Sequence, residues 1–494
     1  MGRKASRLVL VFVLLTTLWT VEKALGRVEP GQVNGLKIEQ VRKRGLPPPV
    51  EFKQRGQAPL PDLFYFSDSF YFSDSFYFSD SFYFSDSFYF SPVKIDDSSL
   101  VSTATVEGRL AVFDDVWETI QERYYDPTFH GIDWQAKRAT FRPAAARAAN
   151  THEFYEVLRQ MIASLKDAHT RVYSPDEKFD WWSPRFVTVG LTIREVQGAP
   201  TVIYIDPNSA AAKTDIQPGD IIASIDNLPV ADFIAHRMRS AALAADDSYY
   251  RFRTVATLFD GAAGTTVKVG WTNRNGKQKS ATLPRYWSQR QLGFNNQRKG
   301  KIAVLRIDAF TQSVALDFSK VLPQVLDGAE GIILDLRANG GGDAEAMADV
   351  ASLFLDDGTN LGKFADRSGA SFELQTFSKR LWRSPGLLPT KLPLVVLTSE
   401  NTSSAAEILV AALQTKRRAR VIGTETCGCV LAIRNRHALP DGGVLDVSEF
   451  DYRTAGGVRL EGVGVKPDKV TQLTRADIYS RHDRALDLAK DLLN

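Results

Sequence analysis

Apolar residues first recur at helical spacing near residue 108, where Val112, Val116, Ile120 and Tyr124 share one face before Asp126-Pro127 closes the run. A second helix is predicted from Asn150, where Asn-Thr-His-Glu gives a capping-box-like start. Its stripe of Phe154, Leu158, Met161 and Leu165 runs out into Asp167-Ala168-His169-Thr170. Between 185 and 290 the period shortens to that of strands. Val187 to Ile193 alternates as one strand and Val202 to Ile205 as another, while residues 229 to 262 read as a helical insertion. From Lys301 the pattern becomes α/β: strand Ile302–Ile307, helix Ala315–Leu326, the apolar run Gly331–Leu336, helix Ala344–Leu355, strand Leu392–Thr398 and a helix reaching Gln414. This divides the chain into an N-terminal helical segment (108–182), a β-rich body (185–290), an α/β core (298–475) and a C-terminal helix (476–494).

Ahead of these segments the pattern is different. Arg3, Lys4 and Arg7 precede the apolar run Leu8 to Trp19, and Ala24-Leu25-Gly26 offers small residues for cleavage, so residues 1–26 read as a secretory signal. That run is shorter than the roughly 20 residues a spanning helix needs. The expectation is an exported protein, periplasmic or extracellular or held at the envelope, with no integral span after cleavage. Residues 27–107 read as a linker, in which Phe-Tyr-Phe-Ser-Asp-Ser runs four times from Phe64 and breaks off at Ser91. This tract holds 15 of the chain's 52 aromatic rings, so the rest of the 494 residues has ordinary aromatic usage. With 61 Lys+Arg against 58 Asp+Glu, the net charge of +3 gives no footprint for nucleic acid. Two cysteines exclude a disulfide-rich scaffold and leave a zinc shell half empty, so no metal and no cofactor are expected.

Two strand-to-helix junctions carry the chemistry. Asn339-Gly340-Gly341-Gly342 lets the backbone approach a ligand closely and present bare N–H groups, but no Gly-Lys-Ser/Thr follows to make a phosphate loop. Asn401-Thr402-Ser403-Ser404-Ala405-Ala406-Glu407 opens a helix. Ser404 with Glu407 forms a plain capping box, yet a serine there also suits nucleophilic attack, since a helix N-terminus favours developing negative charge and the Ala405 N–H can face an oxyanion.

Taken in order, six segments from about 110 to 470 resemble the C-terminal-processing (tail-specific) and tricorn-like serine peptidases. They are Leu165 to Thr170, the β-rich insert with its Gln217-Pro218-Gly219-Asp220 turn, Asp335 to Gly342, Ser404 to Glu407, Arg420 to Thr426 and Glu461 to Asp468. The resemblance implies an α/β fold with a crotonase-like spiral peptidase core, an N-terminal helical segment and an inserted β-rich PDZ-like domain. It places the nucleophile at Ser404 and the oxyanion hole at the Gly341 and Ala405 N–H groups. PDZ domains bind chain ends by adding a strand to a sheet edge, which points to Gly190, Leu191, Thr192 and Ile193 as peptide-binding residues.

The sequence departs from the tail-specific branch at one position. Cys429 stands where that branch carries its lysine base, and no lysine lies between Lys416 and Lys466. A thiol with an ordinary pKa of about 8.5 is a poor substitute. The tricorn-like branch implies another base at His169, with Glu461 fixing its tautomer. Asp167 reads either as a positioning group for the His169 loop or as a surface cap. Cys427 and Cys429 read either as a disulfide across one residue or as buried thiols. The expectation is an exported serine endopeptidase that cleaves polypeptides, its unstructured or C-terminal segments captured by the PDZ-like part. The alternative is a catalytically inactive peptide- or lipid-binding homologue of the same fold.

Overall fold

Thr105 accepts the Gly108 N–H and so starts helix α1 (Val106–Arg123), slightly ahead of the expected boundary. The computed structural model describes residues 100–177, 185–240, 248–289, 292–377 and 389–494. The expected signal segment and all but the last few residues of the linker, including its repeat tract, lie outside them. A helix that the apolar pattern did not disclose, α2 (Trp134–Arg147), follows; it contains Pro143 and buries only Trp134 and Ala145, which is why its pattern is weak. Helix α3 (Thr151–Ala163) begins as expected, with Asn150 Oδ1 accepting the Glu153 N–H at 2.9 Å. The expected apolar faces of α1 and α3 pack into one cluster that also takes in Leu439, Leu445 and Val447. Strand β1 (Arg171–Tyr173) comes directly after the Asp167–Thr170 turn.

The β-rich body contains β2 (Arg185–Thr188), β3 (Leu191–Val196), β4 (Ala199–Ile205), β5 (Ile221–Ile225) and β6 (Leu228–Pro229). Helices α4 (Val230–Ser240) and α5 (Ser248–Ala256), which fill the expected helical insertion, and strands β7 (Thr266–Thr272), β8 (Gln278–Pro284) and β9 (Tyr286–Gln289) complete it. The single strand expected from Val187 to Ile193 is two strands in different sheets. Gly190 breaks it with φ +84°, and a Cβ there would lie 2.1 Å from Ser209 Cβ. Strand β2 pairs with β9, whereas β3 is the edge of a sheet ordered β3-β4-β5-β7-β8, with β6 on β5. Leu191 and Ile193 point into that body's own core, while Thr192 faces outward.

The core follows with β10 (Phe294–Lys299), β11 (Ile302–Ile307), α6 (Gln312–Leu326), β12 (Gly331–Asp335), α7 (Ala344–Ala351), β13 (Asn360–Asp366), β14 (Ser371–Gln375), β15 (Leu394–Thr398) and α8 (Ala405–Thr415). It ends with β16 (Arg420–Gly423), β17 (Ala432–Ala438), β18 (Val444–Arg453), β19 (Lys469–Val470), α9 (Arg475–Ser480) and α10 (Arg484–Leu493). Helix α7 is shorter than expected. The C-terminal helix expected at 476–494 is two helices, because Arg481 takes a left-handed conformation at φ +54° and Asp483 caps a new start.

The central sheet runs β10-β11-β12-β15-β16-β19, parallel from β11 to β19. Alternate residues of its strands face opposite layers. Ile332, Leu334 and Val396 meet α6, α7 and α8, while Ile333, Val395 and Leu397 meet Ala485 and Ala489 of α10. A second, antiparallel sheet orders β1-β18-β13-β14, with β17 also on β18. Helix α8 is buried from Ala405 through Leu413, so it is a central helix with no solvent face along that stretch.

Leu409 is fully buried in the cluster around α8. Leu409→Ala is expected to cost about 2–5 kcal/mol, lowering the urea midpoint with an unchanged slope.

Candidate active site

The two Gly/Ser junctions meet at the C-terminal ends of β12 and β15 and are stitched together by short polar side chains. Ser399 Oγ donates to the Arg337 carbonyl at 2.6 Å and Thr402 Oγ1 to the Leu336 carbonyl at 2.8 Å. The Ser403 N–H donates to the Asn339 carbonyl at 3.1 Å. Between them Ser404 takes φ +56° and ψ −127°, a strained conformation for a residue with a Cβ, on a sharp strand-to-helix turn. A Cβ on Gly341, itself at φ +95°, would fall 2.6 Å from Ser404 Cβ and 3.1 Å from Ala405 N. Glycine is therefore required for the two turns to touch.

The N–H groups around Ser404 are unequal. Ala405 N–H, first in α8, meets no acceptor among the described residues. Gly341 N–H donates to Asn339 Oδ1 at 2.8 Å, so it is already engaged.

Below Ser404 lies Glu407, fully buried and richly bonded. Its Oε1 accepts from Thr426 Oγ1 at 2.6 Å and Gly428 N at 2.7 Å, and its Oε2 from Cys429 N at 2.8 Å and Ser404 N at 3.1 Å. Burial pushes the Glu407 carboxyl up to about 7 against the pull of those donors. The capping box is thus present on its glutamate side, but the glutamate does more than cap. Cys427 and Cys429 are joined as a disulfide, which resolves the two readings of that pair. The same segment continues to Glu461, whose Oε2 accepts from Val430 N at 2.7 Å and Leu431 N at 3.1 Å. Burial, then the charge of Asp167, pushes the Glu461 carboxyl up to about 8.

Asp167 is buried and holds the loop that carries His169. Its Oδ1 accepts the His169 N–H at 2.7 Å and its Oδ2 accepts Thr170 Oγ1, which in turn accepts Ser448 N–H at 3.1 Å. This is the positioning role, not the surface cap. The His169 Nδ1 is enclosed and meets no partner among the described residues. Burial holds this imidazole below its ordinary range, with Asp167 opposing and Arg171 adding to the effect.

The structure therefore brings Ser404, Gly341 and Ala405 into contact, and links them through Glu407 and the disulfide turn to Glu461. It makes no hydrogen bond between Glu461 and His169 among the described residues: the Glu461 carboxylate is engaged by the 430–431 amides instead. Sequence reasoning missed Glu407 as a hub and Asn339 as the partner of Gly341; the Ser-x-x-Glu spacing was the available signal for the first. It also missed the ion pair between Arg194 of β3 and Glu400, which ties the edge strand to the loop before Ser404. Arg337 of the Asp-Leu-Arg run pairs with Asp335 at 2.7 Å and Asp483 at 2.8 Å, a structural tie to α10.

Residues 301–471 match the family model for Peptidase family S41, and residues 107–163 match that for the tricorn protease C1 domain. The chain is 28% identical over 398 residues to a carboxyl-terminal-processing protease of Synechocystis sp., covering 76% of this chain and 85% of that one. It is 26% identical over 383 residues to the chloroplastic carboxyl-terminal-processing peptidase 1 of Arabidopsis thaliana, covering 76% of this chain and 73% of that one. The crystal structure of mature CPAF shares the fold at a TM-score of 0.60 and 15% identity, over 78% of this chain and 96% of that one.

An acid whose folded pKa is raised contributes stability below its ordinary pKa of about 4.3 and loses it as pH rises through the folded value. Glu461, at about 8, should therefore make the melting temperature fall between roughly pH 7.5 and 8.5, a window in which His169 is essentially neutral in both the folded and the unfolded chain. Calorimetry should show a shallower fall for Glu461→Gln, which keeps an acceptor for the 430–431 amides but cannot ionise.

Proposed function

This chain belongs to the C-terminal-processing and tricorn-like peptidases of family S41 and is a serine-type peptidase, and from that premise we propose that it is an exported endopeptidase acting through an acyl-enzyme at Ser404. The observation that carries the reading is the strained Ser404 at the mouth of a buried helix, with Gly341 packed against it and Ala405 N–H unclaimed. Ser404 Oγ attacks the scissile carbonyl carbon while His169 accepts its proton. The oxyanion forms against Ala405 N–H, and Gly341 N–H joins once it leaves Asn339. Collapse breaks the C–N bond, and the departing amine takes the proton from His169. Water then attacks the ester by the same route and frees the serine. The lowered pKa keeps the ring neutral and able to accept a proton at ordinary pH, while making it a weaker base than an unperturbed imidazole. Glu461 is proposed as the third member of the site, since it is coupled to Asp167, the residue that holds the His169 loop.

The β-rich body is proposed to be PDZ-like and the core crotonase-like. The support for the first is that β3 is an edge strand, with β4 on one side only among the described residues, as strand addition requires. A polypeptide chain end would lie along Gly190, Leu191, Thr192 and Ile193, with Gly190 fixing the entry bend. Export is supported by the Cys427–Cys429 disulfide, which fits an oxidising compartment. No helix among the described residues is long and apolar enough to cross a membrane.

A second reading, a binding homologue with a silent site, is favoured by the partnerless His169 Nδ1 and the engaged Gly341 N–H. Peptide hydrolysis decides between them. Ser404→Ala and His169→Ala should each lose roughly 10³-fold or more of kcat, and a serine-directed phosphonate should label Ser404. Wild-type rates in either variant would sink the site. The acid limb of kcat/KM should lie below the ordinary histidine pKa of about 6.5, since burial lowers it and activity needs the neutral ring.

A further inference from the structure

We propose that the Cys427–Cys429 disulfide is a positioning element of the active centre, so that the peptidase works in its oxidised form and is switched down by dithiol reductants. The inference rests on the reading of Ser404 as nucleophile. The disulfide closes a turn around Gly428, which sits at φ +69° with the place of a Cβ taken by Val463 N at 2.8 Å and Gly464 N at 2.9 Å. Five of the six backbone N–H and carbonyl groups of residues 427–429 are committed to the site. Cys427 N–H donates to the Thr402 carbonyl at 3.0 Å, and the Cys429 carbonyl accepts the Ser404 N–H at 2.8 Å. Gly428 and Cys429 N–H groups hold Glu407, and the Gly428 carbonyl accepts the Gly462 N–H at 2.8 Å beside Glu461. The turn thus fixes the serine on one side and the glutamate loop on the other.

Its sulfurs differ in access. Cys427 is half-buried, whereas Cys429 is 3% exposed. A dithiol thiolate attacks the Cys427 sulfur and displaces the Cys429 sulfur, which takes up a proton. The second thiol of the reductant then resolves the mixed disulfide, so the dithiol leaves as a cyclic disulfide and the protein gains two electrons, two protons and two thiols. With the cross-link open, the 427–429 turn no longer specifies where the Ser404 and Glu461 loops lie. Displacements of about 1 Å at a catalytic centre cost on the order of 100-fold in rate.

The experiment treats the full chain with dithiothreitol, counts thiols and measures peptide hydrolysis and melting in parallel. The expected result is two new thiols, a kcat lowered roughly 10- to 100-fold with KM changed less than about threefold, melting still above the assay temperature, and recovery on reoxidation. Cys427→Ser/Cys429→Ser should have the reduced enzyme's kcat and ignore dithiothreitol. Two new thiols with unchanged kcat would overturn the proposal, as would a loss that only tracks unfolding. If the oxidised chain hydrolyses no peptide, the peptidase reading has failed instead. Amide hydrogen exchange then judges the proposal: faster exchange at 426–431 and 461–464 on reduction supports it, and unchanged exchange overturns it.

Discussion

One buried carboxylate organises the catalytic half of this molecule. Glu407 has no contact with water, and its two oxygens accept hydrogen bonds from Ser404, Thr426, Gly428 and Cys429. A buried acceptor left without donors would cost several kcal/mol, so the 426–429 segment is drawn against the start of α8 and held there. That packing forces Ser404 into its positive-φ turn. The strain of one residue is repaid by four hydrogen bonds to another, one helical turn further on.

A second constraint is the crowding of acids. Asp167, Glu407 and Glu461 come from three distant parts of the chain, and the Glu461 carboxyl is raised by both of the others. Burial raises the carboxyls of Glu461 and Glu407 to about 8 and about 7, so both hold their protons more readily than a solvated glutamate. The imidazole of His169, on the loop that Asp167 holds, is kept neutral at ordinary pH by its burial.

Much of this was legible in the chain. The helical faces of α1 and α3, the parallel strands and the two junctions all follow from periodicity and from glycine and serine placed at strand ends. The second sheet was not legible, because β18 buries Asp446, Ser448 and Glu449 along with its apolar residues, which erases the alternation that marks a half-buried strand. Helix α2 was hidden by Pro143 and by a face that buries only Trp134 and Ala145. Glu407 looked like a cap since a cap and a buried hub share the same spacing; only the tertiary return of residues 426–429 distinguishes them. The Gly190 break was hidden by the unbroken alternation around it, and it shows only once Ser209 is seen to occupy the space of a side chain.

The ion pair between Arg337 and Asp483, with Ala485 and Ala489 covering one face of the central sheet, ties the end of β12 to α10. Without that helix Ile333, Val395 and Leu397 would lose their apolar cover and Arg337 one of its two carboxylates. The precision of the serine turn is thus set in part from the far side of the sheet, by a helix that supplies none of the candidate catalytic residues.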